Sequence, residues 1–260
     1  MAGGGASGPI PFVRRETASF VTRSVAFRAL KDDPSCVKYT YEYPRPAMTV
    51  DSVVFTLRAE DLAVLLIRRR KAPHKGKFAL PGGFVDENES LAKAALRELV
   101  EETDVTDVTL EQLGAYGDPG RDPRGHTVSV AYFTFVVAEA HPVKAGDDAS
   151  EAAWINWADI ESNKAELAFD HATIVRDARV RLQQRLDDPR RHAGFELVPS
   201  RFTLSELQRV YEAVFGRSLD KRNFRSRLMA LDLVETVMAA QRTGRHRPAQ
   251  LYRWKNTRKR

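Results

Sequence analysis

Gly82-Gly83-Phe84-Val85-Asp86-Glu87-Asn88-Glu89-Ser90, followed by Leu91-Ala92-Lys93-Ala94-Ala95-Leu96-Arg97-Glu98-Leu99-Val100-Glu101-Glu102-Thr103-Asp104-Val105, is the stretch whose reading decides the fold. Ser90 is an N-cap residue type, Leu91 to Thr103 holds neither Gly nor Pro, and its Ala and Leu content favours helix. The stretch therefore reads as loop, helix, loop. At about 100° per residue, Leu91, Ala95 and Leu99 form one apolar stripe, and Glu98, Glu101 and Glu102 crowd an adjoining arc. Carboxylates at i, i+3 and i+4 repel one another, and the last two lie near the negative end of the helix. Such a face calls for a cation, and hard oxygen ligands select Mg²⁺ or Mn²⁺, with water and substrate phosphates completing the shell of Mg²⁺. A run of this kind is otherwise a solvated face; Arg97 and Gly83 argue against that reading.

Gly83, five residues, Glu89, seven residues, then Arg97-Glu98-Leu99-Val100-Glu101-Glu102 closely resembles the Nudix box of pyrophosphohydrolases. The resemblance implies an α/β Nudix sandwich in which Glu98, Glu101 and Glu102 hold divalent metal against a diphosphate while Arg97 orients a glutamate, the four forming the catalytic set. This chain departs from the pattern at one position, where Asp104 stands in place of Gly; Val105 keeps the aliphatic residue that follows. Asp tolerates the left-handed conformation that Gly usually supplies past a helix. The fold is expected to survive, and the added negative charge is expected to leave hydrolysis weak or lost.

Upstream, residues 1–12 are mostly Gly, Ala, Ser and Pro without periodicity, and 1–44 read as a partly disordered N-terminal extension. Arg14 to Lys31 has the arginine content of a transit peptide, but an extended or misassigned start is preferred. Thr49 to Leu57 and Leu62 to Arg69, rich in β-branched residues, read as paired strands around the Arg58 to Asp61 turn. The second runs into Arg68-Arg69-Arg70-Lys71 ahead of the box, so Arg68 and Arg69 are candidates for phosphate, with Gly82 and Gly83 beside them in the ligand-binding set. Solvation is the plainer account of such a basic run.

Downstream, Val108 to Tyr116 and Thr127 to Val137 read as strands flanking the Gly117 to Gly125 turn, which presents Arg121 and Arg124. That turn resembles the loop that ADP-ribose-type Nudix proteins place over their site, which implies a ligand role for both arginines. Ala153 to Trp157 reads as a last strand with its two tryptophans in the core. Asp170 is expected to cap a helix from Ala172 to Leu186, with His171 structural. Pro189 to Gly194 is polar and aperiodic, which places a Nudix domain at 45–188 and a linker at 189–200.

Residues 201–260 change character. Thr203-Leu204-Ser205-Glu206 is a capping box, Leu207, Val210, Tyr211, Val214 and Phe215 follow at helical spacing, and Gly216 closes that helix. Asp220 opens a second helix with Phe224, Leu228 and Leu231 inward and Lys221, Arg222, Asn223, Arg225 and Arg227 mostly elsewhere. Val234 to Met238 and Ala249 to Trp254 read as strands around a turn carrying Arg245 and Arg247. Helix, turn, basic helix and basic hairpin is the order of a winged helix-turn-helix, whose second helix enters the major groove. Lys221, Arg222, Asn223, Arg225 and Arg227 with Arg245 and Arg247 are the candidate DNA-binding set. Leu219 to Arg225 and Arg247 to Arg253, with Phe195 to Gln208 and Leu167 to His171, resemble the Nudix-related transcriptional regulators of NAD biosynthesis over roughly residues 45 to 255.

Charge agrees with that division. The chain carries a formal net charge of +6, but 201–260 holds fifteen basic and five acidic residues, leaving the first 200 residues acidic on balance. A polyanion partner such as nucleic acid is the reading, ahead of a membrane surface. No apolar run approaches the roughly 18 residues of a membrane span, and the lone cysteine, Cys36, suits a reducing, cytoplasmic setting. The resemblance implies a repressor sensing ADP-ribose or a related nucleotide and reading a near-palindromic operator as a homodimer. The alternative is a metal-dependent ADP-ribose pyrophosphatase yielding AMP and ribose 5-phosphate; a structural protein with a relic metal site comes last.

Overall fold

The computed structural model describes residues 41–143, 149–187, 197–242 and 249–255, and omits the side chains of 149, 150, 238–242 and 249. The readings made for residues 1–40, including Cys36, and those for Arg245 and Arg247 lie outside the described residues. Ala47–Arg260 form one compact unit.

A long strand β1 (Ala47–Arg58) is the spine of a seven-stranded mixed sheet. It pairs antiparallel with β2 (Asp61–Arg69) through the Ala59-Glu60 turn, both of whose residues have positive φ, and parallel with β6 (Thr127–Phe135). Beyond these lie β3 (Phe78–Ala79) and β7 (Ala149–Asn156) on β2, β4 (Gly82–Phe84) on β1, and β5 (Glu111–Tyr116) on β6. Period-two alternation divides the sheet between two layers. Val50, Val130 and Tyr132 pack with Ala94 and Ala95 of helix α1 (Leu91–Thr103), and Val54 and Leu65 with Leu99. The intervening Val53, Phe55, Ala131 and Phe133 face Ile174, Ala178 and Leu182 of helix α3 (His171–Asp187). That is an α/β/α sandwich; a slip of one residue along β1 would exchange the faces.

The same buried cluster continues into the C-terminal segment, where Phe202, Leu207, Val210 and Phe224 join Leu182 and Leu186. Thr203 opens α4 (Leu204–Phe215) with both bonds of a capping box, and Gly216 closes it at φ 67°. Asp220 accepts the Asn223 N–H at 2.7 Å to open α5 (Lys221–Ala230), a cap worth about 1 kcal/mol. Strands β8 (Val234–Arg242) and β9 (Ala249–Trp254) form the wing, tied to Phe202 by a bridge to Tyr252. Among the described residues, no helix is long and apolar enough to cross a membrane.

Three local readings are corrected. The box opens as a strand, because Gly82 and Gly83 pair with Asp51 and Val50; a Cβ on Gly82 would stand 2.1 Å from the Val50 carbonyl oxygen, an approach that only glycine permits. Ser90 holds the N-cap position of α1 as read, with no side-chain capping bond. Trp157 begins the short helix α2 (Trp157–Glu161) instead of ending β7. Asp170 lends its backbone carbonyl to the first turn of α3, but its carboxylate is turned away to Arg121.

Candidate functional site

Helix α1 presents its acidic arc towards β4, and one cation organises it. Arg97 Nε and Nη2 donate to the two carboxylate oxygens of Glu89 at 2.9 and 2.8 Å, while Nη1 reaches Glu98 at 2.8 Å and Glu101 at 3.3 Å. A bidentate charge-assisted pair is the strong geometry for guanidinium and carboxylate. The Arg97 bond holds Glu89 below the usual carboxylate range, and the same bond keeps Arg97 firmly protonated. Gly83 leaves the room that Glu98 occupies, since a Cβ there would stand 2.4 Å from its carboxylate carbon.

Glu102 points elsewhere, accepting the Gly82 N–H at 2.9 Å. Burial pushes its carboxyl up to about 8, and repulsion from Glu98 and Asp51 adds to that against the pull of the Gly82 N–H. Burial likewise raises Glu98, against Arg97. Arg97 thus gathers Glu98 and Glu101, and Glu102 stands apart. Among the described residues, no three acidic, His or Cys groups form a closed metal cage. The donor set still fits a hard divalent ion, because the half-buried Glu98 and Glu102 carboxylates repel each other, and Mg²⁺ keeps open positions for water and phosphate. When bound, such an ion lowers the pKa of a coordinated water and neutralises a phosphate oxygen.

Two features of the site escaped the sequence reading. In the first, Asp51, buried in β1, accepts a short hydrogen bond from Ser129 and lies 3.6 Å from His171 Nε2 and 3.9 Å from Arg121. Leu80 N–H donates to His171 Nδ1 at 2.9 Å, so the ring holds the strand entering the box. Burial keeps His171 neutral, which places its proton on Nε2 facing Asp51. The available signal was Asp51 itself, a carboxylate inside a β-branched strand, where charge is seldom buried unpaired. In the second, Phe169, at φ 53°, stands at the centre of a cradle. His74 meets it edge-on at 4.7 Å, and the guanidiniums of Arg69 and Arg124 lie 4.9 and 5.6 Å from its ring centre. Arg124 also lies 5.3 Å from Phe84. A bulky residue in the left-handed region is strained, and such strain gathers at functional sites.

The predicted ligand arginines are placed unequally. Arg69 joins the cradle and donates to the Pro73 carbonyl; burial and the like charge of Arg124 make its proton easier to lose, a strain that an anion would relieve. Arg68 reaches Glu151 and the Gly76 carbonyl instead. Arg124 forks onto buried Asp122. Arg121 is 5% exposed and forks onto Asp170 at 2.8 and 2.6 Å. Burial opposes its charge, but the bonds and charge of Asp170 outweigh that. It braces the loop from below.

In the C-terminal segment, Lys221, Arg222, Asn223, Arg225 and Arg227 are all exposed on α5. Asn223 and Arg227, one turn apart, lie on the flank nearer α3, whereas Lys221 and Arg225 lie on the other. Arg227 Nη2 donates to the Asp187 carbonyl at the end of α3, at 2.5 Å. Arg179 and Gln183 of α3 both donate to the Val214 carbonyl of α4.

The chain matches the NUDIX domain over residues 48–178 and the NrtR DNA-binding winged helix domain over 194–254. It belongs to the NrtR family of Nudix-containing regulators. A family relative, the ADPR responsive transcriptional repressor NtrR of Acinetobacter baylyi, is 37% identical over 217 residues, covering 82% of this chain and 84% of the relative. The crystal structure of Shewanella oneidensis NrtR complexed with a 27mer DNA superposes with a TM-score of 0.67 at 36% identity, covering 80% of this chain and 93% of that one. An ADP-ribose pyrophosphatase of Methanocaldococcus jannaschii is 42% identical over 135 residues, 52% of this chain and 74% of its own length.

One further expectation concerns the metal. A divalent ion is expected to raise the melting temperature of this NrtR-family chain by linkage, and replacing Glu101 and Glu102 together by Gln is expected to abolish the rise. Between the ordinary carboxyl value of 4.5 and the Glu102 value of about 8, the metal-free fold keeps a proton that the unfolded chain releases. Its stability therefore falls as pH rises through that window, and the metal-induced rise grows over the same window. Equal rises at pH 6 and pH 9 in scanning calorimetry would place the ion away from Glu102.

Proposed function

We propose that this protein is a cytoplasmic transcriptional repressor of NAD-biosynthesis genes that senses ADP-ribose or a related nucleotide through its Nudix domain (45–188). It binds a near-palindromic operator, as a homodimer, through the winged helix (201–260) beyond the 189–200 linker. The observation that carries this reading is α3, whose first residues and last carbonyl serve the two halves. At its start, Asp170 holds Arg121 of the ligand loop and His171 holds the strand into the box; at its end, Asp187 holds Arg227 of α5. Seventeen helical residues, a span of roughly 25 Å, join the two halves.

In this reading Glu98, Glu101 and Glu102 would hold a divalent metal that would neutralise charge on a diphosphate, Arg69 and Arg124 would pair with its phosphates, and Phe169 and Phe84 offer ring faces to the rest of the nucleotide. Lys221, Arg222, Asn223 and Arg225 enter the major groove, and Arg245 and Arg247, outside the described residues, are the candidates for backbone or minor groove. The test is a mobility-shift titration on DNA upstream of NAD-synthesis genes, with and without ADP-ribose. No binding at low salt would remove the repressor reading.

The retained glutamates favour a second reading, ADP-ribose pyrophosphatase. Asp104 takes the left-handed conformation at φ 63° and is exposed, so solvent screens much of its charge. Incubation with ADP-ribose and Mg²⁺ or Mn²⁺ is expected to give AMP and ribose 5-phosphate slowly or not at all. Asp104→Gly raises that turnover by roughly tenfold at most, about 1.4 kcal/mol in the barrier. Rapid cleavage by the unaltered chain would make the enzyme reading the primary one.

A further inference from the structure

We infer that the cavity between the end of α3, the C-terminal half of α4 and α5 is a second small-molecule site, one that takes an aromatic carboxylate. It has a volume of about 230 Å³, and Leu186, Tyr211, Phe215, Leu219, Phe224 and Leu228 supply its apolar walls. An apolar cavity of about 150 Å³ accommodates benzene, so this one has room for a six-membered ring with one small substituent. Tyr211 and Phe224 meet edge-to-face at 5.2 Å, and both border the cavity, where a third ring can pack edge-on or offset.

The rim decides the substituent. Arg217 and Arg227 both border the cavity. Arg227 donates to a neutral acceptor, the Asp187 carbonyl, and Arg217 lies over Phe215 at 5.9 Å. Among the described residues, neither guanidinium is paired with a carboxylate. Of the two aspartates at the rim, Asp220 is committed to the Asn223 N–H as the cap of α5. Two guanidiniums that hold no carboxylate, although Arg227 already donates to the Asp187 carbonyl, stand above apolar walls and match a planar anion, because the arginine fork fits a carboxylate bidentately. Pockets of this kind form at seams between packed units, and this one lies at the end of α3 opposite the Asp170–Arg121 pair.

Benzoate is the probe, on the full-length protein, with benzyl alcohol as the neutral control of the same shape. Isothermal titration or ligand-observed NMR is expected to give a dissociation constant for benzoate of about 1 mM or tighter, at least tenfold tighter than for benzyl alcohol. Arg217 is exposed and outside the nucleotide site, so Arg217→Ala keeps the fold. It should weaken benzoate tenfold and leave benzyl alcohol unchanged, whereas Leu219→Trp, filling the cavity, removes both. Equal binding of benzoate and benzyl alcohol, or full benzoate binding by Arg217→Ala, overturns the proposal. So does the outcome in which Arg217→Ala weakens operator DNA while benzoate leaves the protein unperturbed, since the guanidiniums would then be phosphate contacts. None of these readouts depends on ADP-ribose, so failure here and failure of the repressor reading are separable.

Discussion

Saturating ADP-ribose is expected to lower affinity for operator DNA by roughly 5- to 150-fold, the range of an allosteric coupling of about 1–3 kcal/mol. The physical basis is α3, which is anchored at one end to the ligand loop and at the other to α5 and α4. A ligand that draws the Phe169 cradle together acts on the Asp170–His171 end, and a helix transmits such a shift as a rigid body. The ligand must prefer one arrangement over the other, since equal affinity for both shifts nothing. Reciprocity gives an independent check: operator DNA must weaken ADP-ribose binding by the same factor. DNA affinity itself must fall steeply with salt, because each neutralised phosphate releases counterions. Anisotropy titrations at two salt concentrations, each with and without ADP-ribose, measure all of this. A ligand that binds the protein and leaves DNA affinity unchanged would break the proposed link.

Arg121→Ala is expected to cost about 3 kcal/mol of stability, the lower end of the range for breaking a buried pair, and to lower the melting temperature by roughly 6–12 °C. The Arg121 side chain is 5% exposed and forks onto Asp170, whose own side chain is only 26% exposed. Removing it leaves Asp170 and the nearby buried Asp51 without their cation. Arg121→Ala combined with Asp170→Asn should recover part of the loss, the signature of a coupled pair. A thermal melt within 2 °C of the parent, a margin of about 1 kcal/mol or less, would show that the pair does not hold the loop. The sequence reading had cast Arg121 as a ligand contact. Arg124→Lys, which keeps a cation on Asp122, is the milder probe of ligand binding.

Much of this protein was legible before any tertiary contact was known. Local rules carry that information: the capping box at Thr203, the glycine cap at Gly216, the Asp220 cap and the alternation of β1 each depend on residues within a turn or two. The spacing from Gly83 to Glu102 and the basic excess beyond residue 200 are likewise properties of the chain as written, and they pointed to the two halves and to their order.

Contacts between residues far apart in the chain decided the rest. Whether Gly82 is loop or strand depends on the approach of Val50. Asp170 satisfies its carboxylate on Arg121, forty-nine residues away, in place of a cap. His171 is an acceptor for Leu80, and Arg227 is drawn to Asp187, because packing brings them within reach. Burial then sets the charge states, leaving His171 neutral and raising Glu102 while Arg121 stays ionised. Residue types and spacing determined what chemistry this chain carries, but the partner of each charge was decided by the tertiary structure, because desolvation and pairing energies depend on distances that no local pattern encodes.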